Sequence, residues 1–258
     1  MQNVLVHSSM QETILFFTPE AGVRPHFAAQ CILARTMKER GHSILMTHCS
    51  GIFSRCPVMD MYQLPYDSSP EQKSQVCNIC SGAFNEMVFS YGLEFVELSD
   101  YISEKSLQSI SQIVANAPHD LRLFNFEGLP FGNICAYDAI LSLKHYNLEK
   151  VDGSFRQAWI TYIEAALQSY FMADCLIRQF QARHLLRFND YSLLVGASFA
   201  ASKNGISAQS VTLAPHKSVD FQRFSICNTT IIYDTYVQSI KKWWQWRDLC
   251  LQSEQVKL

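Results

Sequence analysis

Four cysteines within residues 49–80 have a spacing that suits metal coordination. Cys49 and Cys56 are separated by six residues, and Cys77 and Cys80 form a CxxC pair. Four thiolates can hold a zinc ion in tetrahedral geometry, so the spacing predicts a structural zinc site; an iron–sulfur cluster or a redox dithiol is the second choice. The alternative is a set of buried thiols without a metal, because free cysteine also packs as a small hydrophobe.

A histidine provides the second candidate for chemistry. His26 lies beyond the apolar stretch 13–18, at the far end of a short loop. Because imidazole titrates near neutral pH, His26 is a candidate general base. The structural alternative is a histidine at a helix start that hydrogen-bonds the loop.

Further residues could bind a substrate from loops. Glu20 and Gly22 share the loop of His26, and Gly22 would let a ligand approach the backbone. Glu127, in the loop 125–133, could hold a sugar hydroxyl or cap a helix. These three residues are therefore candidate substrate contacts.

A second group of polar residues follows later apolar stretches. Asn189 and Asp190 come directly after the apolar segment 184–188, and His216 follows the segment 210–214. Asp190 is also a natural N-cap for the helix that we expect next, so capping alone is the alternative. We predict that all three face the same crevice as His26.

The elements that would position these residues form a βαβ unit. The pattern predicts a strand over 13–18, a helix over 25–40 ended by Gly41, and a strand over 43–48. We therefore expect an α/β fold: a Rossmann-like, doubly wound, mostly parallel sheet with flanking helices. Ligands of such sheets bind at the carboxyl ends of the strands.

Farther along, the patterns predict a longer series of elements. Residues 49–80 form a long connection with no clear element of its own. The remaining predicted segments are helices over 83–91, 134–146, 154–185 and 191–204 and strands over 94–98, 184–188, 210–214 and 221–227. We expect one domain over 1–235 with a cysteine-bearing insertion at about 49–80. The Trp-rich helix 236–258 would pack on that domain or on a partner absent from this chain.

Composition limits the classes of function. Of the 258 residues, 48% are hydrophobic and 17% charged, which favours a packed core over disorder. Net charge is −2 and no basic block occurs, so we expect no nucleic-acid partner. The first residues lack the pattern of a signal peptide, and no apolar run is long enough for a membrane span, which predicts a cytoplasmic protein. The glycine-rich dinucleotide fingerprint is missing as well, so NAD is not expected.

Taken in order, these features resemble the N-terminal half of GT-B-type glycosyltransferases, in particular those of bacterial capsule and surface polysaccharides. The resemblance covers most of residues 13–233 and includes the loop of His26, the cysteine pairs and an EGLPFG loop. It also includes a turn, Phe188–Tyr191, that stands where such transferases carry phenylalanine, asparagine, glycine and arginine.

The resemblance implies transfer of a sugar from a nucleotide-sugar donor to a glycan or lipid-linked acceptor. His26 would deprotonate the acceptor hydroxyl, and this chain would supply the acceptor side. A separate subunit or a further C-terminal domain would bind the donor. The alternatives are a non-catalytic module that binds a sugar or a protein, and an epimerase or oxidoreductase that uses a nucleotide.

Overall fold

The computed structural model describes residues 12–144, 151–213 and 224–228. The strands are β1 Thr13–Phe16, β2 Ser43–His48, β3 Phe95–Glu97, β4 Ala182–Phe188, β5 Ser207–Leu213 and β6 Phe224–Asn228. The helices are α1 Arg24–Glu39, α2 Pro57–Met61, α3 Pro70–Tyr91, α4 Glu104–Ala115, α5 Phe131–Leu143, α6 Gly153–Gln179 and α7 Ser192–Lys203.

The strands form one sheet in the order β3-β2-β1-β4-β5-β6. The first five are parallel, and β6 pairs antiparallel with β5. From β1 the chain builds outward to β2 and β3, and it then returns to add β4 on the other side of β1. This reversal confirms the predicted Rossmann-like α/β fold and puts a topological switch point between β1 and β4.

The two central strands read as apolar runs because helices cover both faces of the sheet. In β1, Ile14, Leu15 and Phe16 are almost fully buried. In β4, the buried residues Leu185 and Leu186 are the direct partners of Leu15 and Phe16. The carboxyl ends of β1 and β4 therefore lie side by side, so the loops that follow them meet.

The cysteine-bearing connection is more regular than its sequence suggests. We predicted no clear element within residues 49–80, but α2 lies within this connection and α3 begins at Pro70. A capping box starts α3: Gln72 N donates to the Ser69 hydroxyl, and Ser69 N donates to the Gln72 side chain. The first turns of α3 are polar and exposed, so they carry little of the apolar periodicity on which the prediction relied.

Some of the predictions made from the sequence concern residues that the structure does not describe. His216 and the predicted Trp-rich helix 236–258 lie outside the described residues, and the domain limits remain a prediction. Within the described ranges, none of the helices combines the length and the apolar character that crossing a bilayer requires. The cytoplasmic location also remains a prediction.

Candidate functional site

The switch point forms a crevice whose floor is held in place by hydrogen bonds. Phe17 N donates to Leu186 O at 2.8 Å, which keeps β1 and β4 paired up to their ends. Thr18 N donates to Thr47 Oγ1 at 2.9 Å, and the Thr18 hydroxyl donates to Thr47 O at 2.7 Å. The loop that carries Glu20 and His26 therefore begins from a fixed position.

A buried arginine organises the β4 side of this crevice. Arg187 is fully buried and donates to the Ser198 hydroxyl, to the carbonyl oxygen of Asn189 and to the carboxylate of Asp190. Asn189 adopts a left-handed conformation with a φ of 59°, which turns the chain back toward the arginine. The predicted pair of Asn189 and Asp190 thus lies in the crevice, and a buried charge that the sequence analysis missed holds it there.

Glu20 lies on the β1 side of the crevice and is completely buried. Its Oε1 accepts a hydrogen bond from Gln30 Nε2 at 2.8 Å. Burial raises the pKa of Glu20 to about 7, and the Gln30 bond and the charge of Arg187 oppose that rise only in part. Glu20 can therefore both accept and release a proton near neutral pH.

His26 joins the same crevice from the first turn of α1. Its ring stacks on Phe188 with centroids 4.0 Å apart and planes 15° from parallel. Burial lowers the pKa of His26 to about 4, so the imidazole is neutral at physiological pH. This makes His26 a weaker base than the sequence analysis assumed.

Four polar atoms of ionisable side chains in this crevice are buried without a hydrogen-bond partner in the described part of the chain. They are Glu20 Oε2, His26 Nδ1, Arg187 Nη2 and Asp190 Oδ2. Buried polar atoms are almost always paired, so a cluster of unpaired ones calls for a water or a ligand. Three of the four residues are among those that we predicted from sequence.

A second buried acid, Asp138, comes from α5. Asp138 Oδ2 accepts from Ser192 N at 2.7 Å and from the Ser192 hydroxyl at 2.6 Å, so it caps the N-terminus of α7. The capping function considered for Asp190 therefore belongs to Asp138, because Asp190 is turned toward Arg187. Burial raises the pKa of Asp138 to about 7.

A cavity of about 400 Å³ opens beside Asp138. Its lining includes Arg55, Asp60, Leu64, Asp138, Lys144 and Tyr191. Asp60 Oδ1 accepts from the Tyr162 hydroxyl at 2.8 Å and lies 2.5 Å from Arg55 Nη2, so its charge is compensated. Half-buried Tyr191 connects the cavity with the crevice: it lines the cavity, and the nearby carboxyl of Glu20 adds to the effect of burial in raising its pKa.

The four predicted cysteines lie together on the other side of β1. They line one small cavity of about 10 Å³, here called the four-thiol cavity: Cys49, Cys56, Cys77 and Cys80. Burial raises the pKa of the Cys49 and Cys80 thiols to about 12. No group of three or more metal-ligating side chains within the described ranges already has the geometry to hold an ion.

Two of the predicted substrate contacts, Glu127 and Gly22, have other neighbours in the structure. Glu127 is exposed and accepts from the Tyr170 hydroxyl at 2.5 Å and from Lys203 Nζ at 2.8 Å. Lys203 ends α7, which starts at the crevice, so Glu127 lies toward the opposite edge of the sheet. Gly22 serves packing: a Cβ there would lie 2.6 Å from Val58 Cγ1.

Arg187 and Asp138 were not predicted from the sequence, although both leave a signal. Each is a charged residue within an apolar run, LLRF in one case and ICAYDAI in the other. A charge inside a buried element needs a partner, so such residues mark polar sites in a core.

Comparison with known proteins gives a structural likeness. A CDPS, or cyclodipeptide synthase, from Fluoribacter dumoffii superposes with a TM-score of 0.50 at 12% identity, covering 84% of this chain and 91% of that one. A CDPS from Staphylococcus haemolyticus superposes with a TM-score of 0.39 at 11% identity, covering 75% of this chain and 84% of that one. No family model and no curated protein matches the sequence. At 12% identity, the likeness to the Fluoribacter dumoffii protein shows the fold alone.

The resemblance to GT-B-type glycosyltransferases is therefore wrong, and with it the assignments to sugar transfer, polysaccharide biosynthesis and a sugar-binding module. The structural neighbours are cyclodipeptide synthases, which use aminoacyl-tRNAs to make cyclic dipeptides. The nucleotide-sugar donor, the glycan acceptor, the donor-binding subunit and the exclusion of nucleic acid are corrected on the same finding. The resemblance misled because its parts are strand–loop–helix junctions, which any doubly wound sheet contains.

Proposed function

We propose that this chain uses aminoacyl-tRNA and joins two aminoacyl groups into a cyclic dipeptide. The observation that carries the proposal is the cluster of unpaired buried atoms at the switch point. It combines carboxylate oxygens of Glu20 and Asp190 with a guanidinium N–H of Arg187. An aminoacyl ester offers the complement, since its amine binds to carboxylates and its carbonyl oxygen accepts from a guanidinium.

The proposed chemistry is aminolysis of an ester. The α-amino nitrogen of one aminoacyl group attacks the ester carbonyl carbon of the other; a C–N bond forms, and the C–O bond to the tRNA breaks. The amine proton passes to the carboxylate of Glu20 and then to the departing tRNA oxygen. The same exchange within the dipeptidyl ester closes the ring and releases the second tRNA.

Glu20 suits this role because of its proton affinity. A base whose pKa lies near the working pH is deprotonated often enough to accept a proton and acidic enough to return it. Burial gives Glu20 a pKa of about 7. We therefore expect product formation to rise with pH through about 7, as Glu20 becomes ionised.

Direct transfer between two bound esters needs no nucleophile from the loop after β1. From Thr18 to Phe27 it has no serine or cysteine, and the Thr18 hydroxyl already donates to Thr47 O at 2.7 Å. Under this proposal the cavity of about 400 Å³ receives an amino-acid side chain, with Tyr191 between it and the reacting groups.

Recognition would depend on the aminoacyl end more than on the tRNA body. Three cations of α1 are engaged in ion pairs: Arg24 with Glu86 at 3.2 Å, Arg35 with Glu39 at 2.7 Å and Lys38 with Glu94 at 3.4 Å. Binding should therefore be weaker for uncharged tRNA than for aminoacyl-tRNA. The proposal also places the chain in the cytoplasm, where aminoacyl-tRNAs are made.

The test is production of cyclic dipeptides in a bacterial host, measured by mass spectrometry of the culture. The wild-type chain should release at least one cyclic dipeptide that an empty vector does not. Glu20→Gln should reduce it by about 100-fold, as expected for loss of a general base. Glu127→Gln is the matched control and should leave the yield within about twofold, because Glu127 lies outside the crevice. Equal yields from the two variants would exclude Glu20 as the base.

A further inference from the structure

The four-thiol cavity lies where three separate segments converge. Cys49 directly follows β2, Cys56 is the residue before α2, and Cys77 and Cys80 are one turn apart on one face of α3. All four line the same cavity, whose volume of about 10 Å³ is close to that of one water-sized sphere. A CxxC pair on one helix and two further thiols from loops thus surround a space of ionic size.

Backbone N–H groups act on three of these sulfur atoms. Those of Gly51 and Phe53 at Cys49, and those of Val58 and Met59 at Cys56, oppose in part the rise in thiol pKa that burial causes. Gly22 N lies 3.1 Å from Cys80 Sγ. A backbone N–H beside a cysteine sulfur stabilises a metal-bound thiolate more than it stabilises a neutral thiol that only packs in a core.

The histidine beside the cavity is already engaged. His48 Nδ1 lies 2.8 Å from Glu97 Oε2, and His48 Nε2 lies 3.1 Å from Ser81 Oγ. Both ring nitrogens have partners, so His48 fixes the wall of the cavity. The four sulfur atoms remain as the ligand set.

We propose that the four-thiol cavity binds one zinc ion through all four sulfur atoms. Four sulfur ligands in tetrahedral geometry complete the coordination of zinc and define a structural site. The sulfur atoms surround the cavity without yet meeting metal-binding geometry. Rotation about the Cα–Cβ bond moves a cysteine sulfur, so closure around the ion requires side-chain motion.

Such an ion would fix the segment that shapes the larger cavity. Between β2 and α3 the chain contains only the five-residue α2 as regular structure. The same segment supplies Arg55, Asp60 and Leu64 to the wall of the cavity of about 400 Å³. Zinc at the four-thiol cavity would therefore order one wall of the proposed aminoacyl site from a distance, without taking part in the chemistry.

The test is the metal content of the full chain purified in zinc-containing buffer and then desalted. We expect about one zinc per chain and, after exchange with cobalt, the intense near-ultraviolet absorption of cobalt–thiolate bonds. Cys56→Ser and Cys80→Ser should each lower the bound zinc at least about fivefold. Cys175→Ser is the matched control, because Cys175 lies in α6 outside the cavity, and it should keep the metal.

A second measurement keeps the proposal testable if these variants fold poorly. Removal of zinc from the wild-type chain with a chelator should lower the midpoint of thermal unfolding, and added zinc should restore it. Zinc below about a tenth of an equivalent together with no cobalt–thiolate band would overturn the proposal. None of these results depends on whether cyclic dipeptides form.

Discussion

The crevice between β1 and β4 and the four-thiol cavity beside β2 lie at the same edge of the sheet, yet they are built from opposite chemistry. In the crevice, ionisable groups are buried at fixed positions around Arg187, and four of their atoms have no partner among the described residues. In the four-thiol cavity, soft and neutral thiols line a space of about 10 Å³, and Cys80 Sγ accepts from Gly22 N. The difference indicates a site for proton transfer on one side of β1 and a structural site on the other.

Loss of the buried arginine should give the largest decrease in stability. It would show how far the structure of the crevice depends on this charge. Arg187→Met leaves Asp190 buried without its cation, which costs about 3–5 kcal/mol of the free energy of unfolding. Urea denaturation measures the loss. Arg183→Met on the same strand is the control; Arg183 is exposed, so its replacement should change stability by less than about 0.5 kcal/mol. Similar losses from both variants would mean that the crevice does not rely on the buried pair.

Gly22→Ala tests the region where the two sites meet. The added methyl group would lie 2.6 Å from Val58 Cγ1 and 3.3 Å from Cys80 Sγ, so overpacking should cost about 1–3 kcal/mol. It should also lower zinc binding while leaving the pH dependence of stability unchanged.

Gly82→Ala is the control for that substitution. A Cβ on Gly82 meets no described atom within 4 Å, and the residue lies within α3. This change should stabilise the protein by about 0.5–1 kcal/mol, because alanine favours a helix. Stabilisation by Gly22→Ala instead would contradict the close packing between the sites.

The pH dependence of stability should come from the buried acids at and beside the crevice and not from the four-thiol cavity. Glu20 and Asp138 have folded-state pKa values of about 7, above those of the unfolded chain. Between about pH 4 and pH 7 the native state therefore binds more protons than the unfolded state, and stability falls as the pH rises through this range.

Neutral replacements test that assignment. Glu20→Gln or Asp138→Asn should each remove part of the fall, on the order of 1–4 kcal/mol in total for one group. Denaturation midpoints at about pH 5 and pH 8 measure it. If neither variant alters the fall of stability between about pH 5 and pH 8, these acids titrate normally.

The smallest change in stability is expected from the replacement of His26. Its ring stacks on Phe188 and is neutral because burial lowers its pKa to about 4. His26→Phe keeps the stacking and removes the unpaired Nδ1, so stability should change by less than about 1 kcal/mol. Cyclic dipeptide yield should stay within a few fold, and abolition of product would restore His26 as the base.

The sequence predicted the parts that follow from local rules. The βαβ unit is visible because apolar strands and a periodic helix lie close together, and the switch point follows from the parallel order. Glu20, His26, Asn189 and Asp190 were found because residues after the ends of adjacent parallel strands meet. The cysteines were found by spacing, and all four line one cavity.

The rest depends on contacts between distant segments. Asp138 caps α7 across more than fifty residues of chain, and no local pattern predicts such a pair. Glu127, like Glu20, is a glutamate in a predicted glycine-containing loop. In the structure, however, it pairs with Lys203 outside the crevice. The direction of a pKa shift is equally invisible before burial is known, which is why His26 was favoured over Glu20.

The most direct test of the account uses purified protein and two forms of one aminoacyl-tRNA, with the α-amine free or acetylated. The account predicts that the free form gives a cyclic dipeptide and two equivalents of deacylated tRNA per product, at a rate that rises through about pH 7. The acetylated form should give none, because its nitrogen cannot attack an ester. Release of free amino acid from both forms alike, with no cyclic dipeptide from either, would contradict the proposed function.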